Sequence, residues 1–180
     1  MHKSSQSDPL RIAEISAGPG CGRVGITFCP GKFDKSGMTG FWNRDLAADL
    51  DVIRDWGAAA VVTLLQPAEL ASLRVERLGE EVVVRDMLWF HLPIVDVSIP
   101  DEKFERQWIV AGEKLREILR GGRNVLVHCR GGLGRAGTIG ARLLVELGMA
   151  PQTAINQVRR ARPGAIETPA QERHIFDAAA

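Results

Sequence analysis

Residues 124–147 read as a strand, a glycine-rich turn and a helix in immediate succession. Asn124-Val125-Leu126-Val127-His128 is short, apolar and rich in valine, the pattern of a strand covered on both faces. Gly131, Gly132 and Gly134 follow, and helical spacing from Ile139 to Leu147 ends at Gly148. A strand of this kind calls for parallel neighbours and for helices packed on either side.

The alternation of strand and helix runs through most of the chain. Asn43 can cap a helix with Leu46, Leu50 and Ile53 on one face, ended by Gly57. Residues 58–65 read as a buried strand, 67–73 as a brief helix, 82–84 as an edge strand and 88–92 as a further strand, stopped by Pro93. Pro100 fits the first turn of a long helix with Phe104, Trp108, Ala111, Leu115 and Leu119 on one side, closed by Gly121-Gly122. Pro151 and Pro169 each open another helix. Residues 1–10 read as a flexible tail. Residues 11–42, with clustered glycines and prolines, read as loop around one short strand at 24–28. The expected fold class is therefore α/β: a central, mostly parallel sheet flanked by helices on both faces, in a single domain over residues 11–180.

Charge and composition narrow the function classes. Lys+Arg 23 against Asp+Glu 22 gives a net charge of +1, so no global basic field draws the chain to nucleic acid or to an anionic membrane. No apolar run approaches the roughly 20 residues of a membrane helix. The polar start, Met1-His2-Lys3-Ser4-Ser5-Gln6-Ser7, lacks the apolar core of a signal peptide. Three cysteines do not make a disulfide framework. These features lead us to expect a cytoplasmic protein that binds neither nucleic acid nor membrane.

The chemistry is concentrated in His128-Cys129-Arg130-Gly131-Gly132-Leu133-Gly134-Arg135-Ala136-Gly137-Thr138. A glycine-rich turn between a strand and a helix aims successive backbone N–H groups inward, and the helix N-terminus adds positive potential. Arg130, Gly131, Gly132, Leu133, Gly134 and Arg135 are thus candidate phosphate binders. Cys129 stands at the end of the strand, where the same field favours a thiolate. Arg135 follows after five residues and can fold a planar fork of donors back over the turn. A thiolate at the base of a phosphate cradle is a nucleophile aimed at phosphorus.

Rival readings fit less well. Gly132-x-Gly134-x-x-Gly137 matches the dinucleotide fingerprint, but no second strand with an acidic residue follows at the distance of about 20 residues. A nucleoside-triphosphate loop needs Gly-Lys-Ser/Thr, and this one has no lysine. A small buried cysteine in a tight turn is common, but that reading leaves Arg135 and the three intervening glycines unexplained.

His128-Cys129-x5-Arg135 resembles the signature of the cysteine-based protein phosphatases. Gly131-Gly132-Leu133-Gly134-Arg135, with Leu92-Pro93-Ile94-x-Asp96 upstream, resembles the kinase-associated, cyclin-dependent kinase inhibitor 3-like branch of the dual-specificity phosphatases. The likeness runs from about Gly18-Pro19-Gly20-Cys21 to near the C-terminus. It implies phosphomonoester hydrolysis through a phosphocysteine intermediate, with no metal or other cofactor, on a phosphorylated protein or a small phosphomonoester. Such chemistry needs an acid to protonate the leaving oxygen. Asp96 and Asp101 both lie between residue 92 and the long helix. The resemblance favours Asp96, and Asp101, in the first turn after Pro100, has a sufficient role at the helix end.

The family usually carries Ser or Thr straight after the signature arginine, where this chain has Ala136. That hydroxyl helps the sulfur leave, and Thr138 can replace it only by turning back into the loop. A phosphatase fold that holds phosphorylated partners with little turnover is the alternative this departure keeps open. In the family the histidine at the position of His128 orders the loop. Strand alternation points it away from the side of Cys129. Arg130 is expected to face a substrate's other charges. Gln171 resembles a water-positioning glutamine of some relatives, with a surface helix position as the plain alternative. Arg159, Arg160 and Arg162 read as a solvated face, and the four tryptophans as core. Cys21 and Cys29 read as unreactive, a rescue disulfide with Cys129 being the other option. The absence of tyrosine removes the tyrosine-bearing recognition loop of strict phosphotyrosine enzymes and points to broad specificity.

Overall fold

The strand over Asn124–His128 sits at the centre of a five-stranded sheet, and Val125, Leu126, Val127 and His128 are fully buried. In the computed structural model, which describes residues 2–179, the elements in chain order are β1 (Ala13–Ser16), β2 (Arg23–Thr27), β3 (Phe33–Gly37), β4 (Gly40–Asn43), α1 (Leu46–Asp55), β5 (Ala58–Thr63), α2 (Pro67–Ser72), α3 (Leu78–Val83), β6 (Leu88–His91), α4 (Glu102–Arg120), β7 (Asn124–His128), α5 (Gly134–Glu146), α6 (Pro151–Ala161) and α7 (Pro169–Asp177). The sheet order is β1-β2-β7-β5-β6. Three of its four pairings are parallel, and β1 adds an antiparallel edge.

Alternation along the strands sorts side chains into two cores. Val24, Ile26, Ala60, Val62, Val125 and Val127 face α4, α5, α6 and α7. Val61 and Leu126 face the other way, among Leu50, Ile53, Leu70, Leu78 and Val82 of α1, α2 and α3. The mostly parallel sheet flanked by helices on both faces is thus the architecture. Cys129 falls in the first core, so a strand that places Cys129 on one face sends His128 to the other. Among the described residues no helix is long and apolar enough to cross a membrane.

Several expectations need correction. Residues 3–10 are not a loose tail. The backbone of Lys3 bonds Phe41 and Asn43, Leu10 is buried, and the Arg44 guanidinium, itself paired with Asp49 at 2.8 Å, donates to the Asp8 carbonyl at 2.7 Å. Met1 lies outside the described residues. The supposed loop over 11–42 also contains β1 and β3, and Asn43 ends β4. The cap of α1 is Asp45, which accepts from the Ala48 N–H at 2.8 Å. Residues 82–84 are not an edge strand, because α3 covers Leu78–Val83. Leu78, Gly79 and Val82 form its buried side, with Val83 and Val84 exposed. Helical packing outweighs the strand preference of three valines in or beside it.

Candidate active site

β7 delivers Cys129 to the mouth of the loop, and α5 begins at Gly134. Gly132 takes φ +69°, and a Cβ there would stand 2.5 Å from the Thr27 carbonyl carbon. Only glycine passes this close over the end of β2. Every carbonyl from Arg130 to Gly134 is held from outside. The Cys29 N–H and the Lys32 ammonium both donate to the Arg130 carbonyl at 3.2 Å. Arg162 donates to the carbonyls of Gly131 (2.9 Å) and Gly132 (3.1 Å). The Leu133 carbonyl accepts from the N–H groups of Gly137 (2.9 Å) and Ile166 (3.3 Å). The Thr138 hydroxyl donates to the Gly134 carbonyl at 2.7 Å. Peptide planes whose oxygens point outward turn their N–H groups inward, and the loop is thereby shaped for an oxyanion.

Arg135 is 2% exposed. Its Nη1 meets Glu69 Oε2 at 2.7 Å and the Ile94 carbonyl at 3.0 Å. Its Nη2 meets Glu69 Oε1 at 2.9 Å and Asp96 Oδ1 at 3.0 Å. The structure therefore brings Asp96 to Arg135. Asp101 is engaged elsewhere, capping α4 by accepting from the Phe104 N–H at 2.8 Å. Glu69 was not found by reading the sequence. It is held in α2 by a bond from the Gln66 N–H at 2.9 Å, and its only signal was the Gln66-Pro67-x-Glu69 capping box. Burial pushes the Glu69 carboxyl up, but the bonds from Arg135 and Gln66 and the charges of Arg135 and Arg130 outweigh it and hold the group below the usual range. Burial likewise opposes the Arg135 charge, and Glu69, Cys129 and Asp96 more than restore it.

His128 lies on the face opposite Cys129. Trp89 Nε1 donates to Thr63 Oγ1 at 2.9 Å, and Thr63 Oγ1 is 2.7 Å from His128 Nε2. The hydroxyl proton is therefore free to serve Nε2, which leaves the ring proton on Nδ1, 3.4 Å from the Cys129 carbonyl. Burial, against the bond to that carbonyl, pushes the His128 imidazole down to about 4, with the charges of Arg135 and His91 adding to the fall. The unfolded chain binds a proton near 6.5 and the folded one resists until about 4, so stability should fall as pH drops through this window. The slope is about 1.4 kcal/mol per pH unit from this group. Urea midpoints at neutral and mildly acidic pH check this, with a shallower loss expected in His128→Gln.

Thr138 turns toward the loop, but its proton goes to Gly134. It supports the backbone and does not supply the hydroxyl missing at Ala136. Arg130 is drawn sideways by Asp34, with Nε at 3.1 Å and Nη2 at 2.8 Å from Oδ2. The expectation of a solvated arginine face holds only for Arg160. Arg159 donates to the carbonyls of Ala165 (3.2 Å) and Ile166 (3.0 Å), and Arg162 braces the loop. Gln171 is fully buried and not a surface residue. Lys32 was also missed. It lies over the Trp42 ring at 4.1 Å, and burial pushes its ammonium down to about 8 against the charges of Cys29 and Asp34. Cys29 is buried beside the loop, where burial drives its thiol well up. Cys21, just before β2, is at the opposite end of the sheet from Cys129.

Residues 43–175 match the family described as "PTP-SAK: Swiss Army Knife protein, DSP-PTPase phosphatase domain". The chain is 31% identical over 137 residues to cyclin-dependent kinase inhibitor 3 of Rattus norvegicus, a match covering 74% of this chain and 63% of that protein. It thus spans less than two thirds of the length of that relative. It is also 31% identical over 126 residues to protein tyrosine phosphatase type IVA 3 of Homo sapiens, covering 70% of this chain and 68% of the relative. Among solved structures, kinase associated phosphatase with its catalytic site cysteine substituted by serine superposes with a TM-score of 0.80 at 26% identity, over 94% of this chain and 93% of the other. A strand, a braced oxyanion loop and a buried arginine thus coincide with a family match over most of the sequence, and the chain belongs to the PTP-SAK family of DSP-PTPase phosphatase domains.

Proposed function

We propose that this protein is a cysteine-dependent phosphatase that hydrolyses phosphomonoesters, phosphotyrosine and phosphoserine/threonine of proteins among them, through a phosphocysteine intermediate. The observation that carries this reading is the geometry of Arg135. Glu69 and the Ile94 carbonyl accept both Nη1 hydrogens and one of Nη2, and Asp96 Oδ1 stands 3.0 Å from Nη2 as an ion pair. The Nε–H and the second Nη2–H remain for two phosphoryl oxygens, and the charge of an entering phosphate displaces the Asp96 carboxylate from beside Nη2. Binding of phosphate thus releases the acid just where a leaving oxygen needs a proton.

In the first step the Cys129 thiolate attacks phosphorus, the ester P–O bond breaks, and Asp96 gives its proton to the departing oxygen. In the second, the Asp96 carboxylate takes a proton from water, the water oxygen attacks phosphorus, and the P–S bond breaks to return the thiolate. The inward N–H groups from Arg130 to Arg135 and the Arg135 fork stabilise the charge on the transferring group in both steps. Ala136 leaves the departing sulfur without a hydroxyl donor, and the second step is correspondingly slow. That observation supports a second reading, in which the fold holds phosphorylated partners with little turnover. The three cysteines are free, and a nucleophile that must stay reduced suits a cytoplasmic setting.

Asp96→Asn tests the acid. It should slow alkyl and peptide phosphates by about 10²–10⁴-fold, affect activated aryl phosphates far less, and flatten the alkaline arm of the pH–rate curve. Asp101→Ala should keep the leaving-group dependence and cost about 1 kcal/mol of stability as a lost helix cap. A steeper leaving-group dependence in Asp101→Ala than in Asp96→Asn would move the role to Asp101.

A further inference from the structure

Gln171 joins the segment that carries Asp96 to the start of α7. Its Oε1 accepts from the backbone N–H groups of Glu167 (2.9 Å) and Thr168 (3.2 Å), which identifies that atom as the oxygen. Its Nε2 donates to the Ser98 carbonyl at 3.3 Å. Ser98 is in turn bound to Asp96. Its hydroxyl donates to the Asp96 carbonyl at 3.2 Å, its N–H to the Val95 carbonyl at 3.2 Å, and Asp96 Oδ1 accepts from the Val97 N–H at 3.0 Å.

This turn is under strain. Val97 has φ +57°, a left-handed conformation that a β-branched residue adopts only when its surroundings impose it. The bonds just described lie within the turn and fix its shape, not its place. Ile94, just before the turn, stays bound to Arg135 Nη1 and to the Leu64 carbonyl. Beyond it, two polar contacts among the described residues tie the turn to the body of the protein: the Asp96–Arg135 pair and the Gln171–Ser98 bond. Phosphate entering the loop takes the first of these away.

We infer that Gln171 is a positioning residue for the general acid, holding the Asp96 turn over the leaving oxygen once Arg135 has turned to phosphate. The inference rests on Asp96 being the acid. It gives Gln171 a role distinct from positioning water or from occupying a helix surface.

The test compares Gln171→Met with Thr168→Ala. Thr168 Oγ1 accepts from the Gln171 N–H at 3.1 Å, so its loss damages the same helix end without touching Ser98. With orthovanadate bound, amide hydrogen exchange over residues 97–99 should rise in Gln171→Met and stay at the wild-type rate in Thr168→Ala. Hydrolysis of an alkyl phosphate should fall at least tenfold more than that of an activated aryl phosphate in Gln171→Met, with no change of that ratio in Thr168→Ala. Unchanged exchange, an unchanged ratio, or an equal change of ratio in Thr168→Ala overturns the inference. If Asp96→Asn itself leaves the ratio unchanged, the acid assignment fails and this positioning role falls with it, while exchange still reports whether the clasp exists. Should Gln171→Met fail to fold, Gln171→Asn, with the same amide on an arm one methylene shorter, is measured in the same way.

Discussion

Cys129→Ser should lose turnover of an aryl phosphate by on the order of 10⁶-fold, as when a covalent nucleophile is removed from an enzyme whose remaining site is intact. The substitution keeps the shape of a residue that is 3% exposed at the end of β7. Oxyanion binding should survive it. The inward N–H groups are set by carbonyl contacts from Cys29, Lys32, Arg162, Ile166 and Gly137, none of which involves the sulfur. Isothermal titration with orthophosphate, run beside the activity assay, separates the two properties. Loss of both would mean a collapsed loop, and retention of both would reject Cys129 as the nucleophile.

Arg135→Lys should lower kcat by about 10²–10³-fold, although charge is retained. An ammonium cannot engage both Glu69 oxygens and still present two parallel donors to phosphate. It would also leave the Glu69 carboxylate, mostly buried and held ionised chiefly by Arg135, with fewer donors. Stability should therefore fall together with activity, and Glu69→Gln should weaken both less, since an amide can still accept from the guanidinium. Single-turnover kinetics and urea unfolding on the two variants check this. Full activity in Arg135→Lys would show that the fork geometry is not what stabilises the transferring group.

What the sequence made legible was local and periodic. The segment from Asn124 to Thr138 shows its strand, its turn and the spacing of Cys129 and Arg135 within fifteen consecutive residues. Glu69 escaped because it meets Arg135 across 66 positions, and nothing about a carboxylate in a short helix announces a distant arginine. Arg162 and Lys32 escaped for a related reason. Long side chains on separate elements reach the loop carbonyls, and a sequence read by periodicity treats such residues as surface. The expected tail failed because Arg44 reaches back to Asp8, and residues 82–84 failed because three valines outvoted the buried stripe of Leu78, Gly79 and Val82.

The central claim is that phosphorus passes through the Cys129 sulfur. Ala136 favours its direct observation, since without a hydroxyl beside the leaving sulfur the intermediate should persist. Wild-type protein mixed with an activated aryl phosphate, quenched in acid within the first turnover and mapped by peptide mass spectrometry, should carry phosphate on the peptide containing Cys129. Phosphate on no residue, with a steady release of phenolate that lacks an initial burst, would indicate direct attack by water and contradict the account.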